Sequence, residues 1–362
     1  MDYRYGELPL DLLQSLLTYE QLLQLFLDLV SRSGGDVDQA LEWMKQLQAR
    51  GLISDEIDLE SFRDALEKQG LVSRDGEGNL VLAGPGERRI RRQALEEIFT
   101  SLSKAGGGFH AIPRAGTGNE PLPETRPYEF GDDPARLDGI RTVANAARRD
   151  IEALSLLPQD FEVFDAEHQS SCATAIAIDI SHSMILYGED RFTPAKKVAL
   201  ALTELIFQKY PKDTIDIVLF GDEARPVPVE QLSRAQVGPF HTNTKAGLAL
   251  ARGLLMRRKL QNRQVFLITD GKPSCIHEGG RLYKNPFGLD LKIVNRTLEE
   301  AEKLRRDGIQ LTTFMIATDP QLVEFVETLT RVARGRAYYA SPTDLATFIF
   351  RDYIRNRKKL FK

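Results

Sequence analysis

The sequence predicts an α/β fold: a doubly wound, mostly parallel sheet preceded by a mainly helical region with a small winged-helix-like hairpin. Three observations carry that expectation. Short runs of small and branched apolar residues recur in the second half, at Cys172-Ala-Thr-Ala-Ile-Ala-Ile178, Thr214-Ile-Asp-Ile-Val-Leu-Phe220, Gln264-Val-Phe-Leu-Ile-Thr269 and Gln310-Leu-Thr-Thr-Phe-Met-Ile316. They read as strands buried on both faces. Segments with apolar residues at helical spacing lie between them, and strand alternating with helix is the pattern of a doubly wound sheet. Upstream, helical periodicity dominates the first hundred residues.

The first domain is expected over 1–104. Leu10 to Leu17, Tyr19 to Val30 and Val37 to Leu47 carry helical stripes, broken at Gly34-Gly35 and Gly51. Leu59 to Gln69 forms another helix, which Gly70 stops. Leu71 to Arg74 and Asn79 to Leu82 flank Asp75-Gly-Glu-Gly78 and read as a hairpin, and the basic stretch Glu87 to Phe99 is a closing helix. Residues 105–164 are expected to be a Gly/Pro-rich linker, either pinned to a surface by Phe109, Ile112, Tyr128 and Phe130 or simply disordered, leading into a connecting helix within Pro134 to Leu157.

The sheet domain spans 165–362 and ends in a basic tail. Its first helix starts near Thr193 as N-cap with Pro194 in the first helical position. Arg225-Pro-Val-Pro-Val229 is an antiparallel edge strand, because an edge position tolerates the donors that proline lacks. Arg336 to Ala340 is the last strand.

The formal net charge of −4 is uneven. Residues 1–70 hold 14 acidic and 6 basic side chains, whereas Arg351 to Lys362 holds six basic and one acidic. That asymmetry is consistent with protein contacts at both ends or with solvated faces. Cys172 and Cys275 offer no disulfide framework. The amino terminus lacks the features of a signal peptide, and no apolar run reaches the roughly 18 residues of a membrane span. A cytoplasmic protein without a membrane span is the expectation.

Chemistry concentrates in Asp179-Ile-Ser-His-Ser183, Thr242-Asn-Thr244 and Leu267-Ile-Thr-Asp-Gly271. Asp179 and Asp270 each end a predicted strand, where open α/β sheets place ligands, and Thr242 precedes the helix Ala246 to Met256. Two carboxylates and three hydroxyls (Ser181, Ser183, Thr242) make an all-oxygen donor set, which suits magnesium, an ion that keeps several waters at about 2.0 to 2.1 Å. Hydroxyls add no charge, so the cation stays under-neutralised. A partner carboxylate about 4 Å away is attracted by roughly 4 kcal/mol per unit charge at an effective dielectric near 20.

These residues resemble the metal-ion-dependent adhesion site of a von Willebrand factor type A (VWA) domain: Asp-x-Ser-x-Ser, a later Thr, and a later Asp-Gly. The resemblance covers roughly 165–355. It implies that Ser181, Ser183 and Thr242 touch Mg2+, or Mn2+ or Ca2+ in its place, while Asp179 and Asp270 act mostly through water. His182 stands where many members have Gly, which bears on how closely a partner backbone approaches.

The long segment Gly271 to Asp290 is expected to be a loop beside the cation, either functional, with Tyr283, Lys284 and Phe287 contacting a partner, or folded onto the domain by Phe287 and Leu289. The phosphate-binding loop, zinc-protease and dinucleotide motifs are all incomplete. A metal-dependent phosphoester hydrolase would need Asp222, Glu223, His182 or His241 as its base. The winged-helix-like hairpin raises DNA, with Arg88, Arg89, Arg91 and Arg92 on phosphates, but the acidic segment before them opposes it. The overall plan resembles the VWA partners of MoxR-type AAA+ ATPases and, related to them, the VWA subunits of metal chelatases. The resemblance implies a non-catalytic adaptor that recruits an acidic residue of a client or of the ATPase in chaperone-like assembly or maturation of a complex.

Overall fold

The computed structural model describes residues 18–104, 125–128, 137–149, 155–164, 171–188, 190–270, 272–285, 288–316, 320–341 and 344–358. Contacts divide the chain into two compact units, one of 1–108 with 171–362 and one of 109–170. The helical region read from the sequence over 1–104 therefore shares a unit with the sheet. The stretch from Leu10 to Leu17 lies outside the described residues, as do Phe109, Ile112 and Phe130.

Helix α1 (Tyr19–Arg32) starts with a reciprocal cap: Gln21 N–H donates to the Thr18 hydroxyl, and Thr18 N–H to the Gln21 side chain. Asp36 and Asp58 cap α2 (Val37–Ala49) and α3 (Leu59–Lys68) by accepting first-turn amides. A hairpin of β1 (Val72–Arg74) and β2 (Leu80–Leu82) follows, then α4 (Gly84–Lys104). Phe26, Val30, Met44, Phe62 and Leu66 are buried between these elements.

In the smaller unit, β3 (Thr125–Pro127) pairs antiparallel with β4 (Glu162–Phe164), and α5 (Gly139–Arg149) lies between them in sequence. Asp138 starts α5 by accepting the amides of Ile140 and Arg141. The Tyr128 ring meets the Phe161 ring edge-on.

The sheet is built from β5 (Cys172–Asp179), β6 (Thr214–Phe220), β7 (Ala224–Val227), β8 (Asn262–Thr269), β11 (Ile309–Met315) and β12 (Arg336–Tyr339), in spatial order β12-β11-β8-β5-β6-β7. All pairs are parallel except β6 with the edge strand β7. Every residue of β5 is buried. Its Ala173, Ala175 and Ala177 face one core with Leu248 and Leu255 of α7 (Thr244–Arg257), Leu304 of α8 (Leu291–Arg306) and Leu329 of α9 (Pro320–Ala333). Its Ile176 and Ile178 face the other core with Leu202 and Ile206 of α6 (Phe192–Lys209) and Phe350 of α10 (Leu345–Lys358). The chain leaves β5 for β6 on one side and later returns to β8 on the other. The crevice between the carboxyl ends of β5 and β8 is thus the topological switch point.

The helical region continues this second core. Arg91 of α4 pairs with Glu204 of α6 at 3.3 Å, both buried. Lys196 donates to the carbonyls of Ser31 (2.6 Å), Ser233 (3.1 Å) and Ala235 (3.1 Å), while the Glu87 carboxylate accepts from Ser233 Oγ and Arg234 Nε.

Three sequence readings are corrected. Helix α6 begins at Phe192, so Pro194 is its third residue; Asp190 accepts the Thr193 amide, and the amides of the first turn have no helical partner for proline to break. The loop expected after Asp270 contains a hairpin, β9 (Cys275–Glu278) with β10 (Arg281–Lys284), because Gly279 and Gly280 take φ of 57° and 78° as a two-residue turn requires. Arg91 is spent on Glu204 and Arg89 on Glu20, leaving only Arg88 and Arg92 of the proposed phosphate-binding row exposed.

Candidate metal site at the carboxyl edge of the sheet

Asp179 is the last residue of β5 and is fully buried. Its Oδ1 accepts the Ser181 amide at 2.9 Å, and its Oδ2 accepts the Thr269 hydroxyl at 2.7 Å. The first bond folds the chain back on itself, so that Ser181 Oγ and Ser183 Oγ lie 3.0 Å apart. Asp270 follows β8 directly and is 3% exposed. Ser183 and the Lys272 amide bond to its carboxylate, and Arg191 Nη1 lies 4.0 Å from Oδ2, but Oδ1 is buried without a hydrogen-bond partner.

The third segment is tied to both of the others through its backbone. Thr242 donates its amide to Ser274 Oγ (2.9 Å), and its carbonyl accepts from the Ser274 amide (2.9 Å), four residues beyond Asp270. The Phe240 carbonyl accepts the His182 amide at 3.1 Å, and Gly238 donates to the Ile180 carbonyl at 3.1 Å. The Phe240 side chain lies over Gly221 and Gly238, where an added Cβ would come within 2.6 Å of its Cβ and 2.1 Å of its ring. Those two glycines allow the loop to approach. The structure therefore brings Asp179, Ser181, Ser183 and Asp270 together by side-chain contacts and sets Thr242 against the segment after Asp270.

Burial pushes the Asp179 carboxyl up to about 7, and the neighbouring Asp270 charge adds to the rise. Asp270 is raised too, first by burial, with Ser183 and Arg191 pulling the other way. Two buried carboxylates, one with an unpartnered oxygen, constitute a deficit of positive charge. The oxygen donors fit a hard divalent ion. Among the described residues no three His, Cys, Asp or Glu side chains converge as a softer metal would require.

Several contributors carried no sequence signal. Thr269 reads as an ordinary strand residue, and Ser274 and Arg191 lie outside the motifs. His241, next to Thr242, has Nδ1 3.0 Å from Asp222 Oδ1, and its amide bonds to the same oxygen. Cys275 is buried, and desolvation with the Asp222 and Asp179 charges pushes its thiol up to about 12, which disfavours the thiolate. On the hairpin, Tyr283 is 39% exposed, donates to Asp290 Oδ2 at 3.0 Å and carries the Lys292 ammonium 4.6 Å over its ring. Lys284 follows it on β10, so their side chains point to opposite faces. Phe287 lies outside the described residues.

The family described as "Rv0959-like protein, vWA domain" matches residues 172–354, about half of the chain, and "Rv0959-like protein, third domain" matches 120–166. The uncharacterized proteins Rv0959 of Mycobacterium tuberculosis and Mb0984 of Mycobacterium bovis are each 30% identical over 312 residues, which cover 83% of this chain and 46% of the relative. The chain thus spans about half the length of the curated relatives it matches. Among solved structures, the PilB minor pilin of Streptococcus sanguinis matches at 15% identity and a TM-score of 0.42 over 56% of this chain and 65% of the pilin. The vWF domain of the type V pili tip protein Mfa5 of Porphyromonas gingivalis matches at 15% and 0.41 over 54% and 97%. A six-stranded, mostly parallel sheet flanked by helices, together with the match over 172–354, places this chain in the family of Rv0959-like proteins that carry a vWA domain.

Proposed function

We propose that this chain is a non-catalytic, magnesium-dependent protein-binding adaptor. Ser181, Ser183 and Thr242 hold the cation, and Asp179 and Asp270 hold its coordinated waters. When bound, the cation supplies an under-neutralised charge that accepts a carboxylate from a partner protein. The observation that carries this reading is the buried Asp179 and Asp270 pair, with Asp270 Oδ1 unpartnered beside hydroxyls 3.0 Å apart. Such a site has little use as packing, since removing charge from it would stabilise the metal-free fold.

The partner fitting this plan is an AAA+ ATPase of the MoxR type or its client, engaged through an acidic side chain, with Tyr283 and Lys284 of the hairpin adding contacts at the rim. No helix among the described residues is long and apolar enough to cross a membrane. The test is capture of such an ATPase by the full chain in magnesium and in chelator, with Ser181→Ala and Asp270→Ala. Both variants are expected to fold and lose capture; equal capture in chelator refutes the reading.

One observation favours a second reading. The Asp222 carboxylate orients His241 beside Thr242, an arrangement a metal-dependent phosphoester hydrolase could use as its base. Magnesium-dependent phosphoester turnover lost in both Asp179→Ala and His241→Ala would establish it, whereas capture without turnover supports the adaptor.

A further inference from the structure

We propose that Arg191 is an internal counter-ion that competes with the cation for Asp270, and so sets how tightly this site binds a divalent ion. The inference rests on the reading of the site given above and concerns its regulation.

Its basis is geometric. Arg191 immediately precedes α6 and is fixed there by its own amide, which donates to the Met184 carbonyl at 2.9 Å. That bond closes the loop that follows Ser183, so the Arg191 backbone is tied to the residue next to the segment that supplies two of the hydroxyls. Its Nη1 reaches to 4.0 Å from Asp270 Oδ2, with the arginine side chain 15% exposed and the aspartate 5%. Among the described residues, it is the cationic side chain with an ion pair to either site carboxylate. Lys272, two residues beyond Asp270, bonds to that carboxylate through its backbone amide.

A unit charge at this distance and depth is weakly screened. It offsets part of the repulsion between Asp179 and Asp270 when they are alone, and it repels a second cation drawn to the same oxygens. The guanidinium does not fill the crevice: Asp270 Oδ1 still lacks a partner. Arg191 therefore compensates the two carboxylates only in part, and the hard oxygen that it does not reach suits a small hard ion. A guanidinium fixed beside the carboxylate also weakens loading, because binding must outcompete an existing pair.

Isothermal titration of the full chain with MgCl2 tests this, using wild type, Arg191→Gln and, as the site control, Ser181→Ala. Arg191→Gln is expected to bind Mg2+ at least tenfold more tightly than wild type and to melt lower than wild type in chelator. In the wild-type chain, the Arg191 Nε–H resonance is expected to shift with the same midpoint as the calorimetric titration, which reports on the competition even if the variant fails to fold. Equal or weaker binding by a folded Arg191→Gln, or a resonance that does not move during wild-type loading, overturns the competition alone. A wild-type chain that takes up no Mg2+, or a Ser181→Ala chain that binds as wild type does, overturns the reading of the site and the competition with it.

Discussion

Replacing Asp179 by Asn is expected to stabilise the metal-free protein while abolishing cation uptake. The Asp179 carboxyl rises from its ordinary 3.8 to about 7 on folding, through burial first and the Asp270 charge second. Because the folded form holds the proton more tightly, the stability it contributes is fully present below pH 4 and is lost as the pH rises to about 7. That loss amounts to roughly 4 kcal/mol, taking about 1.4 kcal/mol per pH unit. Asn does not titrate, keeps an oxygen for the Ser181 amide, and exchanges the Thr269 bond for one in which the hydroxyl accepts. In chelator, its advantage over wild type should therefore grow by roughly 2 to 3 kcal/mol between pH 5 and pH 8, or about 5 °C in melting temperature for a unit of this size. In magnesium the order narrows or reverses, since a ligand at a hundred times its Kd adds about 2.7 kcal/mol to the wild type alone. Paired melts at both pH values, with and without chelator, decide the matter. An advantage that does not grow with pH in chelator would refute the claim that folding raises the Asp179 carboxyl by burying it beside Asp270.

Other outcomes follow from the same structure. Arg91→Ala should cost about 3 to 5 kcal/mol by stranding buried Glu204, whereas Arg91→Leu with Glu204→Leu should be close to neutral, as read from urea unfolding. Lys196→Met leaves the carbonyls of Ser31, Ser233 and Ala235 without their shared donor and should destabilise by roughly 2 to 3 kcal/mol; chemical denaturation checks it. Gly221→Ala places a Cβ 2.6 Å from Phe240 and should displace the loop bearing Thr242, seen as at least tenfold weaker Mg2+ binding in calorimetry with the melting temperature little changed.

Much of this architecture was legible in the chain itself. Apolar runs without alternation that are too short for a helix, such as Cys172 to Ile178, read as strands covered on both faces, and helical stripes between them favour the layered α/β arrangement. Asp179 and Asp270 could be placed at strand ends for the same reason, because a carboxylate that ends an apolar run marks where the strand leaves the core. The hairpin at Gly279-Gly280 was also written in the sequence as a two-residue turn, and was hidden only by the length of the surrounding segment.

What tertiary structure alone decided is which distant groups share a dielectric environment. No local pattern connects Arg191 to Asp270, Thr269 to Asp179, or Lys196 to carbonyls on both sides of the junction between the helical region and the sheet. Nor could it disclose that Arg91 is buried against Glu204 rather than offered to phosphate. Periodicity reports which face of an element is covered, since hydrophobic burial is additive and non-directional. Charge compensation depends on distance and on exclusion of water, and these exist only once separate segments have packed together.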